Sequence, residues 1–394
     1  MKVGIVTNYE WLKQWGNYGT LFQNYALQEV LRDLGHESYW IRTTNSRPFT
    51  FSERCRNLGL KLLTNPSELL KQLKGEKHLH ADISPANPRI IQFNADHHRS
   101  FEEFMSSHLG LSEREYGGEE LRHSPPEADA FIVGSDNVWA QVSPAYFLQF
   151  GSASTKRIAY AVSSNWETLS PYWYARARKA IRSIDHVSVR EDAGLHVCKK
   201  LGRGDAAHVL DPTLLAQPAC FRKLLPLASV PEEDREPTLL VYWLNAYQNS
   251  DWPLREMERL AEAKSLKLQI IPLQGTELLA PEIHTYVPNP SSWLDAFANA
   301  ECVLTNSFHG TAFSIIFNRP FVVLPKSKDP QAHGSERFRS LLGKLDLESR
   351  IIHDRSYSSL TRVLEEQIDW ESVETKLASE RSKSLDFLKR ALVS

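Results

Sequence analysis

Cysteine is scarce. Cys55, Cys198, Cys220 and Cys302 are scattered, without the paired spacing of a zinc site or of a secreted disulfide framework. Isolated thiols fit a reducing compartment, so a cytoplasmic location is expected. A basic surplus is also missing: 46 Lys and Arg stand against 48 Asp and Glu, a formal net charge of -2. Proteins that hold a duplex by releasing its counterions carry excess Lys and Arg, so nucleic acid is excluded as the main partner. No apolar run is long enough to cross a bilayer. The opening MKVGIVTNYE reads directly as a strand, leaving no room for a signal peptide. Gly-x-Ser-x-Gly, His-Glu-x-x-His and Cys-x-x-Cys are absent, as are a Walker Gly-Lys-Ser/Thr and the spaced-glycine dinucleotide fingerprint. His97 and His98 adjoin, but neighbouring helix positions do not face one way, so no metal site is expected.

What is present is the composition of a globular protein: 394 residues, 42% hydrophobic and 24% charged, enough for two domains and a core that needs no disulfides. Lys2–Asn8 is a Val/Ile-rich run ending in polar residues, as in a buried parallel strand. Thr20 with Gln23 has the form of a capping box, Leu27, Val30, Leu31 and Leu34 form an apolar face, and Gly35 fits the C-terminal cap. His36–Arg42 completes a βαβ unit. Further strands are expected at Ala130–Val133, Arg157–Val162, His186–Val189 and His208–Leu210, each followed by a polar group.

The pattern predicts a first Rossmann-like domain over 1–229, with a basic, proline-broken insertion at about 47–97. A helix is expected over His98–His108, and a linker over Val230–Pro237. A second Rossmann-like domain is expected over 238–369, with strands at Thr238–Leu244, Leu268–Pro272, Cys302–Thr305 and Pro320–Leu324. Its helices open at Asp251/Pro253 and at Ser291/Ser292, and another runs over Thr311–Phe317. A helix over 370–394 is placed back across the first domain. The fold class is α/β with an interdomain cleft, and ligands in such folds lie beyond the carboxyl ends of the strands.

Thr305-Asn306-Ser307-Phe308-His309-Gly310-Thr311 runs from a strand end into a helix. A helix N-terminus disfavours imidazolium, so His309 is suited to acid-base work, against the plainer role of satisfying a backbone carbonyl. Arg190, at another strand end, offers a fork for carboxylate or phosphate, or else pairs with Glu191, Asp192 or Asp211. Lys326 and Arg337 are within reach of a phosphate in the same reading, or are ordinary surface cations. The Gly16, Asn17, Gly19, Thr20 loop has the outline of a phosphate cradle, or serves close packing. Asp136 is an acceptor contact or a helix cap, and Trp139 stacks on a sugar or fills core.

Together the blocks Gly16–Thr20, Ala130–Trp139, Ile158–Ala161, Ser188–Asp192, Val209–Thr213 and Thr305–Thr311 resemble the polysaccharide pyruvyl transferase family. The resemblance spans nearly the whole chain except about 47–95 and the tail. It implies a GT-B-like fold, phosphoenolpyruvate as donor with no cofactor or metal, and a pyruvate ketal on two hydroxyls of a sugar in a surface polysaccharide or lipid-linked precursor. It places the family's arginine on Arg190 and its histidine on His309; Ser307 and Gly310 are expected beside the donor, and Asp136, Trp139 and Asp211 beside the acceptor. Where some members carry an arginine two residues before the histidine, this chain has Ser307, so Lys326 or Arg337 is expected to supply that charge. After Tyr160 the chain reads Val-Ser-Ser-Asn-Trp where Ser-Phe-Gly is common. The rival readings are a GT-B nucleotide-sugar glycosyltransferase and a non-catalytic glycan-binding protein. The basic insertion is either a solvated lid or a peripheral contact with an anionic membrane.

Overall fold

The computed structural model describes residues 1–44, 100–140, 142–164, 171–226, 235–244, 253–272, 286–324, 333–353 and 358–393. The expected insertion at about 47–97, most of the linker, Asp251 and Lys326 lie outside the described residues.

Short apolar runs form the inner strands of the first sheet, buried on both faces, while its edge strands are partly exposed. β1 (Lys2–Val6), β2 (Glu37–Trp40), β5 (Ala130–Val133), β6 (Lys156–Val162), β7 (His186–Val189) and β8 (Ala207–His208) build a parallel sheet in the order β2-β1-β5-β6-β7-β8. β3 (Thr43–Thr44) and β4 (Tyr116–Gly117) form a small pair beside it. A second parallel sheet, in the order β10-β9-β11-β12, is made of β9 (Thr238–Trp243), β10 (Lys267–Pro272), β11 (Cys302–Thr305) and β12 (Phe321–Val323).

The helix Tyr18–Asp33 is buried without a break from Tyr18 to Leu31, because it lies between the two halves. Tyr18 stacks on Trp293 at 5.2 Å between ring centroids, and Phe22 meets Trp293 at 5.4 Å and Phe313 at 5.5 Å. One apolar core thus runs from Ile5 and Ile132 of the first sheet through these rings to Leu240 and Val303 of the second. The helix over 100–108 adds Phe101, Phe104 and Met105 to it.

Several helix starts differ from the sequence reading. The Tyr18–Asp33 helix begins before the expected box: Asn17 caps it, its Oδ1 accepting from the Thr20 amide at 3.0 Å. Gln23 does not cap at all, because its amide is used inside the site described below. The Pro290–Asn299 helix is capped by Asn289 rather than by Ser291 or Ser292, with Pro290 in the first turn, where a missing N–H costs nothing.

The final helix, Trp370–Val393, lies on the first half. Ser384 Oγ accepts from the Leu210 amide at 2.9 Å, Arg381 Nε donates to the Leu214 carbonyl at 2.8 Å, and Phe387 packs against Tyr160. No helix among the described residues is long and apolar enough to cross a membrane.

Candidate active site

The carboxyl ends of β5, β7, β8 and β11 converge on one polar cluster between the two sheets. Arg190 follows β7 and is 5% exposed. Its Nε donates to Glu191 Oε1 at 3.0 Å, its Nη1 donates to Asp211 Oδ2 at 2.9 Å, and Nη2 lies 3.5 Å from Asp136 Oδ1. The Phe308 ring from the second half covers the guanidinium, 4.1 Å from Cζ to the ring centre. A cation among three carboxylates stays charged, and the acids hold it far above the ordinary arginine range despite burial.

His309 comes from the opposite half, in the first turn of the helix Phe308–Ile316. That helix begins before the expected Thr311, and Ser307 caps it, its Oγ accepting from the Gly310 amide at 3.3 Å. The imidazole Nε2 sits 3.8 Å from Asp211 Oδ2 and has no hydrogen-bond partner. Burial pushes the ring's proton affinity below the usual histidine range. The Arg190 and Arg337 guanidiniums add to that, and together they outweigh Asp211 and Asp136. The resting ring is a neutral imidazole with an unpartnered nitrogen.

Asp211 is fixed by the first half. Oδ1 accepts from the amide and hydroxyl of Thr213 at 3.0 and 2.8 Å, and Oδ2 accepts from Ser135 Oγ at 2.9 Å. Burial alone would raise its carboxyl, but the facing His309 and Arg190 and the bonds from Arg190 and Thr213 hold it below the usual range. Ser135 is set in turn by Gln23, whose Oε1 accepts from the Ser135 amide at 2.8 Å while its Nε2 donates to Thr7 Oγ1 at 2.9 Å.

Arg337, on the helix His333–Gly343, adds a second cation. It is half-buried, its Nε has no partner, and its charge is felt by Arg190, Asp136, Glu191 and His309. Burial and the neighbouring Arg190 make its positive charge costly. A guanidinium donor without an acceptor, beside a second guanidinium, is suited to an anion.

Residues 17–327 match the model of the polysaccharide pyruvyl transferase family. The chain belongs to this family. No curated protein matches it significantly. Among solved structures it resembles UDP-GlcNAc 2-epimerase from Neisseria meningitidis bound to UDP-GlcNAc, with a TM-score of 0.50, 11% identity and full coverage of both chains. The UDP-N-acetylglucosamine 2-epimerase of Rickettsia bellii follows at 0.48, with 9% identity over 99% of this chain and 98% of that one. The glycosyltransferase VinC in complex with DTDP gives 0.42, with 11% identity over 100% and 99%. These likenesses concern the fold, an α/β GT-B-like arrangement of two parallel sheets with helices.

In this pyruvyl transferase family member, the expected site residues fall into different places. Thr20 reaches the cluster, its Oγ1 donating to Asp136 Oδ2 at 3.3 Å. Gly19 lies directly against His309. Gly16 ends the helix Tyr9–Trp15 with a left-handed backbone, and the Asn17 side chain is used in capping, so these two shape the loop. Two acceptor expectations need correction. Trp139 is 1% exposed: its ring stacks on Phe147 and its Nε1 donates to the Tyr146 carbonyl at 2.9 Å, so it is core. Asp211 is 1% exposed with both oxygens engaged, so it anchors Arg190 and faces His309 instead of touching an acceptor.

The site roles of three participants do not show in the sequence, where Gln23 reads only as part of a capping box and Ser135 only as the polar end of a strand. Phe308, Gln23 and Ser135 build the cluster, and each stands beside a motif residue or inside one of the family blocks. Their roles depend on partners distant in sequence. Among the described residues no group of His, Cys, Asp and Glu is arranged to hold a metal.

Proposed function

We propose that the chain transfers the enolpyruvyl group of phosphoenolpyruvate onto two hydroxyls of one sugar, in a surface polysaccharide or its lipid-linked precursor, forming a pyruvate ketal. The observation that carries this reading is the meeting of His309, with its free Nε2, and the two guanidiniums of Arg190 and Arg337 between the halves of a member of this transferase family. The donor is a compact molecule bearing both carboxylate and phosphate, and it needs fixed cations as well as a proton source.

Arg337, with its unpartnered Nε, binds the donor anion. Arg190, anchored by Asp211 and Glu191, presents its remaining N–H groups to it. Those two cations face three carboxylates, so a further positive charge is needed, and we assign it to Lys326. The incoming anion reverses the balance at His309 and favours the protonated ring. That ring gives its proton to the methylene carbon of the donor, leaving an oxocarbenium-like centre at C2. A first sugar hydroxyl oxygen bonds to C2, and the C2–O bond to phosphate breaks. The second hydroxyl then bonds to C2 and closes the ketal. Of the two hydroxyl protons released, one restores His309 and the other leaves on the phosphate. Asp136, partly open at the edge of the cluster, is the acceptor contact.

Phosphate release from phosphoenolpyruvate, measured against a panel of glycans, tests the reading. Turnover dependent on both donor and glycan is expected, and it should be lost in His309→Gln. A protein stabilised thermally by UDP or CMP but not by phosphoenolpyruvate would instead be a nucleotide-sugar enzyme. Binding of glycan without donor consumption would mark a non-catalytic binder.

A further inference from the structure

The residue that follows Arg190 and Glu191 opens a helix, and that helix lacks a cap of its own. Asp192–Lys200 begins after Glu191, which makes no side-chain cap bond because its carboxylate is taken by Arg190 Nε. The first amides of a helix have no intrahelical acceptor and must find one elsewhere. For the amide of Asp192 that acceptor is Ser340 Oγ, at 3.1 Å, on the helix His333–Gly343 of the other half. The same hydroxyl donates to Asp192 Oδ2 at 3.0 Å. Asp192 Oδ1 lies 2.8 Å from His208 Nδ1, and His208 Nε2 is 2.9 Å from the carbonyl oxygen of Arg190.

Ser340 and Arg337 are separated by one helical turn, so they share a face. One end of that face is bolted to Asp192 and the other carries the second guanidinium into the cluster. Ser340 is 5% exposed while the Asp192 side chain is largely open to solvent, so the bond lies at the edge of the interface.

We propose that Ser340 is a positioning residue that supplies, across the domain interface, the cap missing from the helix beginning at Asp192, and thereby sets Arg190 and Arg337 to one another as a paired anion site. His208 completes the device by tying the Asp192 carboxylate to the Arg190 backbone. The ligand consequence rests on phosphoenolpyruvate being the donor, whereas the cap itself does not.

The test uses the full chain with phosphoenolpyruvate as probe. Titration calorimetry is run on the unaltered protein, Ser340→Ala, Ser340→Thr, Arg337→Ala and Ser340→Ala/Arg337→Ala. A lost cap is worth about fivefold in an equilibrium, so Ser340→Ala should weaken donor binding by about that factor. Ser340→Thr, which keeps the hydroxyl, should restore it. In the Arg337→Ala background the serine substitution should cost less than about twofold, the signature of two residues acting through one another. Amide hydrogen exchange, which needs no ligand, should show faster exchange over residues 191–194 in Ser340→Ala and normal exchange in Ser340→Thr.

Equal losses with and without Arg337, or unchanged exchange over 191–194, would overturn the proposal. If the unaltered protein fails to bind phosphoenolpyruvate while exchange still responds to Ser340→Ala, the cap stands and the donor assignment falls.

Discussion

Gly19 and His309 are in such close contact that a Cβ on residue 19 would lie 2.2 Å from the imidazole Nδ1. One residue opens the Tyr18–Asp33 helix of the first half, and the other comes from the second half. The missing side chain at position 19 is the space in which the proposed acid-base group sits. Gly19→Ala is sterically acceptable to a helix and even favoured by propensity, so the chain should still fold. The ring must turn to make room, and a misplacement near 1 Å costs on the order of 10²-fold in rate. Steady-state turnover together with circular dichroism checks this: a folded Gly19→Ala with normal kcat would show that the ring's placement does not matter.

Arg337 should trade stability for binding. Its Nε is buried without an acceptor and its charge faces Arg190. Arg337→Met removes the repulsion and keeps the volume, so Tm should stay level or rise while affinity for phosphoenolpyruvate falls at least tenfold. Thermal melts with and without donor measure both effects. A drop in Tm comparable to that of a core mutant would place Arg337 among the structural cations.

Proton uptake on donor binding follows from the resting state of His309. Its proton affinity is depressed by burial and by the two guanidiniums, and an arriving anion reverses that balance. Calorimetry in buffers of different ionisation enthalpy near neutral pH should register more protons taken up by the unaltered chain than by His309→Gln. Identical uptake in the two would remove His309 from the proton path.

Acid should destabilise the fold in two stages. His309 titrates below its usual 6.5 when folded, so the unfolded chain binds the extra proton and stability falls as pH drops beneath about that value. Asp211 is depressed below 3.8, so the stability it adds at higher pH is lost as pH falls through its folded value. Urea melts from pH 7.5 down to 3 should show the first stage removed in His309→Gln and the second reduced in Asp211→Asn.

Trp139 belongs to the core of the first half, stacked on Phe147. Trp139→Ala should cost about 3–5 kcal/mol of stability by leaving a cavity. Trp139→Phe should keep KM for the acceptor unchanged. A raised acceptor KM in Trp139→Phe, without loss of stability, would return this ring to the sugar site.

Strands at Ala130–Val133, His186–Val189 and Cys302–Thr305 were legible because an apolar run closed by polar residues has little other use in a parallel sheet. Arg190 and His309 stood out for the same reason, as chemical groups parked where runs end. Local patterns misled where a distant partner claimed the side chain. Gln23 has the spacing of a cap, yet Ser135 and Thr7 take its amide, and Asn17 caps instead. Trp139 follows a strand end, but nothing nearby in the chain says that its ring turns inward toward Phe147. The triple pairing of Arg190 could be guessed only in part, since Asp136 reaches it through folding of the sheet.

The stacked rings of Tyr18, Phe22 and Trp293, with Phe313 edge-on against them, weld the two sheets into one nucleus. Swinging them apart like the jaws of a clamp would wet that whole stack at once. Under the proposed reaction, donor and sugar would have to thread in past side chains at the rim, and heating should melt both halves together, in a single calorimetric peak.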